Sequence, residues 1–582
     1  MADKLLKEHL YGDLLAPATG YSTDFALGMT YSLSFEAILT AHLAFGMLGE
    51  MDDNVIQSPH ILLEAITKSS GKVAVFCNKG SIVVPPTIRK VFSLMERNIF
   101  EVFDKNNNKA NFHPKLWLIR EVNNDDKKDV QLKLIVTSRN LAYTDTIDSV
   151  ACITGKVGSS SVNNEKHQPL VSFIKEVADE SNIGHEQKKS VLKLATDLKR
   201  VEHFEVDAPF ENYDFFPYLF NKDFGLPNLK EYLVGTESII VSPFIDKNMI
   251  NKLNPENKCQ RRLITRKEYV DKDIFDRFSS KGGIYVTQDD LASRGMDLHA
   301  KMYHVWYSRE AQYLFLGSAN ATTSAFERNG EFLLRLKYKY GNTRSGQFLS
   351  SFYEEGNSDS KFMPLAEPME DAAPTIKWNA AESAMKDLMC ADDLKARITH
   401  HRDGNYSIVV TSSIRKLIND VYIAPLQKNE LMQRWTSRAS FDELRADELS
   451  EFYIISAKSP EGTEHKTIIK IATTGMPSER DQEIYKGIIK SKRDFFRFIE
   501  LMLTDTPLEY ISSEMLLKDH GRTGGTSDDG VLFPSLYEKM LKTAAMNPAQ
   551  IKEIEKLVGK LGDEVVPPLF LKIYKQFVSA LN

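Results

Sequence analysis

The feature that most constrains this chain is a hairpin that occurs twice in the same setting. Leu116 to Glu121 (LWLIRE) and Leu132 to Ser138 (LKLIVTS) read as two strands around a long polar tip. Met302 to Tyr307 (MYHVWY) and Gln312 to Ser318 (QYLFLGS) read as a second pair, turning at Ser308-Arg309-Glu310. Each hairpin starts straight after a His-x-Lys triplet, His113-Pro114-Lys115 and His299-Ala300-Lys301. Each ends on a Ser-x-Asn triplet, Ser138-Arg139-Asn140 and Ser318-Ala319-Asn320. The His-to-Asn spacings are 27 and 21 residues, and the difference sits in the charged first tip, where insertions cost little. The two histidines are 186 residues apart, which reads as a duplicated half.

The surrounding pattern is α/β. Lys72 to Cys77, Ser81 to Val84, Ser238 to Pro243 and Arg261 to Thr265 are strand candidates, and Gln168 to Ala178 and Glu186 to Arg200 are helical. Past AEPMEDAAP (366–374), a linker by composition, β-type runs continue to about residue 475, and helical stripes follow. This predicts a first half over 1–205, a second over 206–365, a β-rich accessory region over 366–475 and a helical region over 476–582. With 582 residues there is ample chain for several cores. The net charge of −6 excludes a polycation that grips nucleic acid by bulk charge, while leaving room for a local basic groove. Four scattered cysteines make no CxxC metal clip and no disulfide scaffold, so no metal is expected and a cytoplasmic, reducing setting is. No apolar h-region opens the chain, and the stretch from Ala37 to Leu48 is too short to span a bilayer, so no membrane role is expected. No GK[ST] loop is found, which excludes a Walker-type NTPase; GRTGGTSDDG (521–530) reads as a flexible loop.

On a strand, His-x-Lys puts both side chains on one face, because the side-chain period is two. Two facing copies would bring two imidazoles, two ammonium groups and two amides round one cavity. That is a phosphate site needing no cofactor. Lysines and asparagines hold the non-bridging oxygens, a neutral imidazole attacks phosphorus, and a protonated imidazole gives its proton to the leaving oxygen. Water then hydrolyses the phosphohistidine.

His-x-Lys followed by Gly-Ser-x-Asn, twice, resembles the phospholipase D superfamily of phosphodiesterases. The clearest stretch joins His299-Ala300-Lys301, Gly317-Ser318-Ala319-Asn320 and Glu331 in Asn329-Gly330-Glu331-Phe332. The resemblance implies two phospholipase-D-like lobes with one active site between them. It implies His113 and His299 as nucleophile and general acid, and Lys115, Lys301, Asn140 and Asn320 as phosphate ligands, with Ser138 and Ser318 joining them. Glu331 would orient a catalytic histidine, with Asp148 its shifted counterpart in the first half. Thr137 stands where the motif has Gly, and Arg120 and Trp306 stand where it has an Asp. Absence of that Asp resembles tyrosyl-DNA phosphodiesterases and long bacterial phage-defence members, as do the block Leu14 to Leu33 and the stretch Phe533 to Tyr537. A nuclease acting on DNA or RNA is therefore implied, with a helicase, ATPase or other defence-system protein as partner. The rivals are a catalytically silent nucleic-acid-binding subunit and a hydrolase of phospholipids or small phosphodiesters.

Other conspicuous residues have plainer readings. His304, an odd number of positions past Lys301, points away from the cavity side. His400 and His401 are surface histidines in a turn. Lys258-x-Gln260-Arg261-Arg262 and Lys490-x-Lys492-Arg493 read as solvated faces or backbone-phosphate contacts. The aromatic run Tyr213 to Tyr218 suits packing between the halves better than base stacking.

Overall fold

The computed structural model describes residues 11–46, 59–142, 145–225, 228–256, 259–340, 344–357, 359–370, 380–415, 417–503 and 532–546, and parts of 551–581. The loop 521–530 and residues 371–374 of the linker lie outside the described residues.

The first lobe is a mixed six-stranded sheet. Its strands are β1 (Tyr21–Thr30), β2 (Val73–Asn78), β3 (Ile99–Val102), β4 (Leu116–Asn123), β5 (Val130–Thr137) and, after the two-residue β6 (Thr146–Ile147), β7 (Val150–Lys156). The spatial order is β3-β2-β1-β4-β5-β7. Strands β1, β2 and β3 run parallel, and β4, β5 and β7 follow antiparallel from β1.

The second lobe repeats this plan. It comprises β8 (Phe210–Leu219), β9 (Lys222–Asp223), β10 (Glu237–Val241), β11 (Gln260–Ile264), β12 (Ile284–Thr287), β13 (Asp297–Leu298), β14 (Met302–Trp306), β15 (Gln312–Gly317), β16 (Glu331–Tyr338) and β17 (Phe362–Pro364). Its nine-stranded sheet has the order β17-β12-β11-β10-β14-β15-β16-β8-β9. Within it, β12-β11-β10-β14-β15-β16 reproduces the first sheet strand for strand, with the same parallel and antiparallel pairings. The protein is thus a mixed α/β molecule with an internal repeat.

One apolar core joins the lobes. Leu27, Leu118 and Leu134 from the first sheet share it with Val241, Leu314 and Leu334 from the second. Helices α1 (Gln168–Glu180) and α2 (His185–Arg200) close it with Leu170, Phe173, Leu194 and Leu198, a 3.6-period apolar face. Tyr213 and Phe215 of β8 belong to this core, in keeping with packing rather than base stacking.

Residues 395–474 form two four-stranded sheets, preceded by α3 (Ala380–Met389). Helices over 480–488, 492–503, 532–546 and 568–581 follow. Phe495, Phe498, Ile499 and Phe570 of these helices join the outer core of the first lobe with Phe35, Leu62 and Phe92.

Three expectations from the sequence change here. Ser81 to Val84 is no strand; Ile82 makes only isolated bridges to Leu33 and Ile468, hemmed between Gly80 and Pro85-Pro86. The central strand β1, YSTDFALGMT, was not anticipated, because its polar residues at Ser22, Thr23 and Asp24 hide the strand pattern. Arg261, read as part of a solvated basic cluster, is fully buried and donates to the carbonyls of Gly235, Thr236 and Gln260 at 2.7, 3.0 and 2.9 Å. His304 is buried and stacks on Phe348 at 4.8 Å between centroids.

Candidate active site

Each His-x-Lys enters its sheet through a short pairing with the opposite lobe. Phe112 bridges Gly330 in parallel, and His113 N donates to Gly330 O at 2.8 Å. Correspondingly β13 pairs with β6, and His299 N donates to Ile147 O at 2.9 Å. The crossing sets each imidazole beside the other lobe's acid. His113 Nδ1 lies 2.9 Å from Glu331 Oε2, and His299 Nδ1 lies 2.8 Å from Asp148 Oδ1.

Both carboxylates are held in matching ways. Ser318 Oγ donates to Glu331 at 2.5 Å, and Ser138 Oγ donates to Asp148 at 2.6 Å. Asn329 Nδ2 donates to the other Glu331 oxygen at 3.2 Å, and Thr146 Oγ1 to the other Asp148 oxygen at 2.6 Å. Each serine hydroxyl also accepts a backbone N–H at 2.9 Å, from Ser149 and from Phe332. Both serines are 0% exposed. Expected among the phosphate ligands, Ser138 and Ser318 instead give their one O–H to the carboxylates, which leaves no hydroxyl proton for a phosphate oxygen.

The lysines lie flat within the site. Lys115 Nζ donates to His113 O at 3.2 Å and Lys301 Nζ to His299 O at 2.5 Å, and both side chains are buried. Burial pulls the Lys115 pKa down to about 7, against the opposing pull of Glu331 and Asp148. Burial lowers Lys301 well below the usual range, and repulsion from Lys115 lowers it further. Burial also brings both His113 and His299 down to about 4, opposed by their carboxylates. For Asp148, burial disfavours the charge, but His299, Ser138 and Thr146 outweigh it and hold the pKa at about 2. His113 feels the charge of Lys301 and His299 that of Lys115, so the groups of both lobes form one electrostatic cluster. Asn140 and Asn320 close the Ser-x-Asn turns, and their buried Oδ1 atoms have no hydrogen-bond partner among the described residues.

No family model and no curated protein matches the chain. Among solved structures, yeast tyrosyl-DNA phosphodiesterase matches with a TM-score of 0.36 and 12% identity, over 59% of this chain and 89% of that one. A mutant form of the same enzyme matches at 0.36 and 12%, over 55% and 84%.

The sequence readings of the motif's departures resolve locally. Gly317 has φ +154°, and a Cβ there would collide with the Phe332 carbonyl oxygen. Its counterpart Thr137 keeps its side chain and accepts from Arg139 N at 3.0 Å. Arg120, where the motif has Asp, bonds Asp24 and Asp197 at 2.7 Å each and ties β4 to α2. Tyr31 was missed: its ring lies 5.2 Å from the His113 ring, and Lys115 Nζ is 5.8 Å from its centroid. Only the tertiary fold brings it there, since it follows β1 by one residue and stands 82 positions from His113. Among the described residues no helix is long and apolar enough to cross a membrane.

Proposed function

We propose that the protein is a phosphodiesterase that hydrolyses nucleic acid through a phosphohistidine, with no metal in the reaction. The observation carrying this reading is the paired, cross-lobe fixing of His113 and His299 by carboxylates. A carboxylate that accepts the Nδ1 proton leaves the lone pair on Nε2 and orients it. Two such imidazoles, with two buried ammonium groups and two amides, are what in-line displacement at phosphorus needs.

His113 Nε2 attacks phosphorus and the P–O bond to the leaving oxygen breaks; His299 Nε2–H passes its proton to that oxygen. A water then attacks the phosphohistidine, His299 takes its proton, and the P–N bond breaks to give a phosphomonoester and free His113. Lys115, Lys301, Asn140 and Asn320 hold the non-bridging oxygens. The empty site keeps His299 neutral, because burial and two cations oppose its protonation. An arriving phosphodiester anion supplies the compensating charge and restores the acid. The nucleic-acid substrate and a place in anti-phage defence follow from the sequence resemblance, a cytoplasmic setting follows from the sparse, scattered cysteines, and all three belong to the same proposal.

The test is cleavage of end-labelled single- and double-stranded DNA and RNA in excess EDTA by wild type, His113→Ala and His299→Ala. Cleavage by wild type alone supports the reading and names the substrate. Equal cleavage by all three, or by none, overturns it.

A further inference from the structure

The match between the lobes continues beyond the catalytic groups and then fails on one side. After β1, Thr30 Oγ1 donates to Ser32 O at 2.8 Å and accepts from Leu141 N at 2.9 Å. After β10, Ser242 Oγ donates to Phe244 O at 2.7 Å and accepts from Ala321 N at 2.9 Å. Those equivalent turns put Pro243 where the first lobe has Tyr31. So His113 has an aromatic wall, 5.2 Å from ring to ring, that has no counterpart beside His299 among the described residues.

A second departure from symmetry lies beside it. Helix α3 of the accessory region packs on the first lobe next to the catalytic strand. Lys386 Nζ donates to Asn111 Oδ1 at 3.1 Å, two residues before His113. Three residues away along the same helix, Met389 lies against Gly80, and one turn the other way the charge of Glu382 acts on Tyr31. Arg328 stands on the same side, two residues before Gly330, the partner of Phe112. Burial lowers Lys386 to about 8, and repulsion from Arg328 adds to it. The Arg328 Nε is buried with no hydrogen-bond partner among the described residues. Two mutually repelling, partly desolvated cations gain from an anion between them.

We propose that Tyr31, Lys386 and Arg328 form a subsite for the nucleotide flanking the scissile phosphate on the His113 side, its base against Tyr31 and its outer phosphate between the two cations. This rests on the phosphodiesterase reading above and deepens it. A polymer with a second phosphate is then the substrate, and a small phosphodiester fills only half the site. The accessory region becomes part of substrate selection, because it supplies Lys386.

The test compares an unpaired dinucleoside monophosphate with a tetranucleotide carrying phosphates on both sides of the cut, in EDTA. The wild type is expected to favour the longer substrate in kcat/KM by about tenfold or more, since only that substrate carries the outer phosphate that the two desolvated cations would hold. In Lys386→Gln and Arg328→Gln that ratio falls toward one. Tyr31→Leu narrows the discrimination between an intact and an abasic flanking nucleotide, and Tyr31→Phe keeps it. The same two oligonucleotides are titrated against His299→Ala, so that binding is read even where turnover is lost. Ratios of kcat/KM and Kd unchanged by Lys386→Gln and Arg328→Gln would overturn the subsite, whereas absent turnover with the Kd ratio intact overturns only the catalytic reading.

Discussion

Glu331 and His113 are 218 residues apart in sequence and 2.9 Å apart in the site. Asp148 and His299 make the reciprocal pair at 2.8 Å. Neither His113 nor His299 is held by an acid of its own lobe. The short cross-lobe pairings, Phe112 with Gly330 and β13 with β6, lock this exchange into the backbone. A lobe by itself has an unheld imidazole and an unpaired carboxylate, so the two halves act as a unit.

The exchange predicts which histidine each acid variant disturbs. Glu331→Gln should alter the tautomer of His113, and Asp148→Asn that of His299, seen in nitrogen-15 NMR of the imidazoles. Each should lower kcat by roughly a hundredfold, the usual scale for losing a partner that orients an imidazole. If Glu331→Gln shifts His299 and leaves His113 untouched, the crossed arrangement is wrong.

Gly317 and Thr137 occupy matching positions, yet substitution should destabilise them to different extents and for different reasons. Gly317→Ala places a Cβ against the Phe332 carbonyl at a φ of +154°, and should destabilise the second lobe by about 1–3 kcal/mol. Thr137→Gly removes one hydroxyl that accepts from Arg139 N, and should cost about 0.5–1.5 kcal/mol. Urea midpoints of the two variants measure the contrast. A Gly317→Ala protein as stable as wild type would refute the steric account.

The repeated hairpins were readable because both strands of each are apolar and a His-x-Lys and a Ser-x-Asn frame them. Thus β4, β5, β14 and β15 begin and end within about two residues of where pattern places them. Strand β1 was illegible, since its outer end at Ser22 and Asp24 is polar and its pairing with β2 and β4 is decided by distant segments. The roles of Ser138 and Ser318 were misread for a related reason. Spacing puts a hydroxyl near the site, but whether it faces phosphate or carboxylate depends on which lobe's acid arrives beside it. Tyr31 and Lys386 carry no local signal, as each reaches the site through tertiary packing alone.

Four histidines, His42, His113, His167 and His299, are held down to about 4 by burial. In the unfolded chain each titrates near about 6.5, so between these values the unfolded state binds the more protons. Stability is therefore full above about pH 6.5 and falls as pH drops toward 4, by up to about 3 kcal/mol per histidine. Asp148, held at about 2, gives its share above about pH 4 and loses it only below that. The loss between pH 6.5 and 4.5 thus belongs to the histidines. Urea midpoints across this range should fall steeply for wild type and less steeply for the His113→Gln/His299→Gln double variant. Identical slopes would assign the acid sensitivity elsewhere.

On the proposed reading, Lys115 should set the upper pH limit for anion binding. Burial brings its pKa to about 7, so it is cationic below that value and neutral above it. Sulfate keeps a fixed charge over this range and is a clean probe of the phosphate position. Its affinity should be flat below about pH 6 and weaken toward tenfold per pH unit above 7, as the free site must first take up a proton. Calorimetry at pH 8 in buffers of different ionisation enthalpy should show that uptake approaching one proton per sulfate, and none at pH 5.5. Lys115→Met should bind sulfate weakly at every pH and with no uptake at pH 8. Proton uptake that persists in Lys115→Met would transfer the titration to Lys301, whose ammonium is lowered by the same burial and by Lys115 itself.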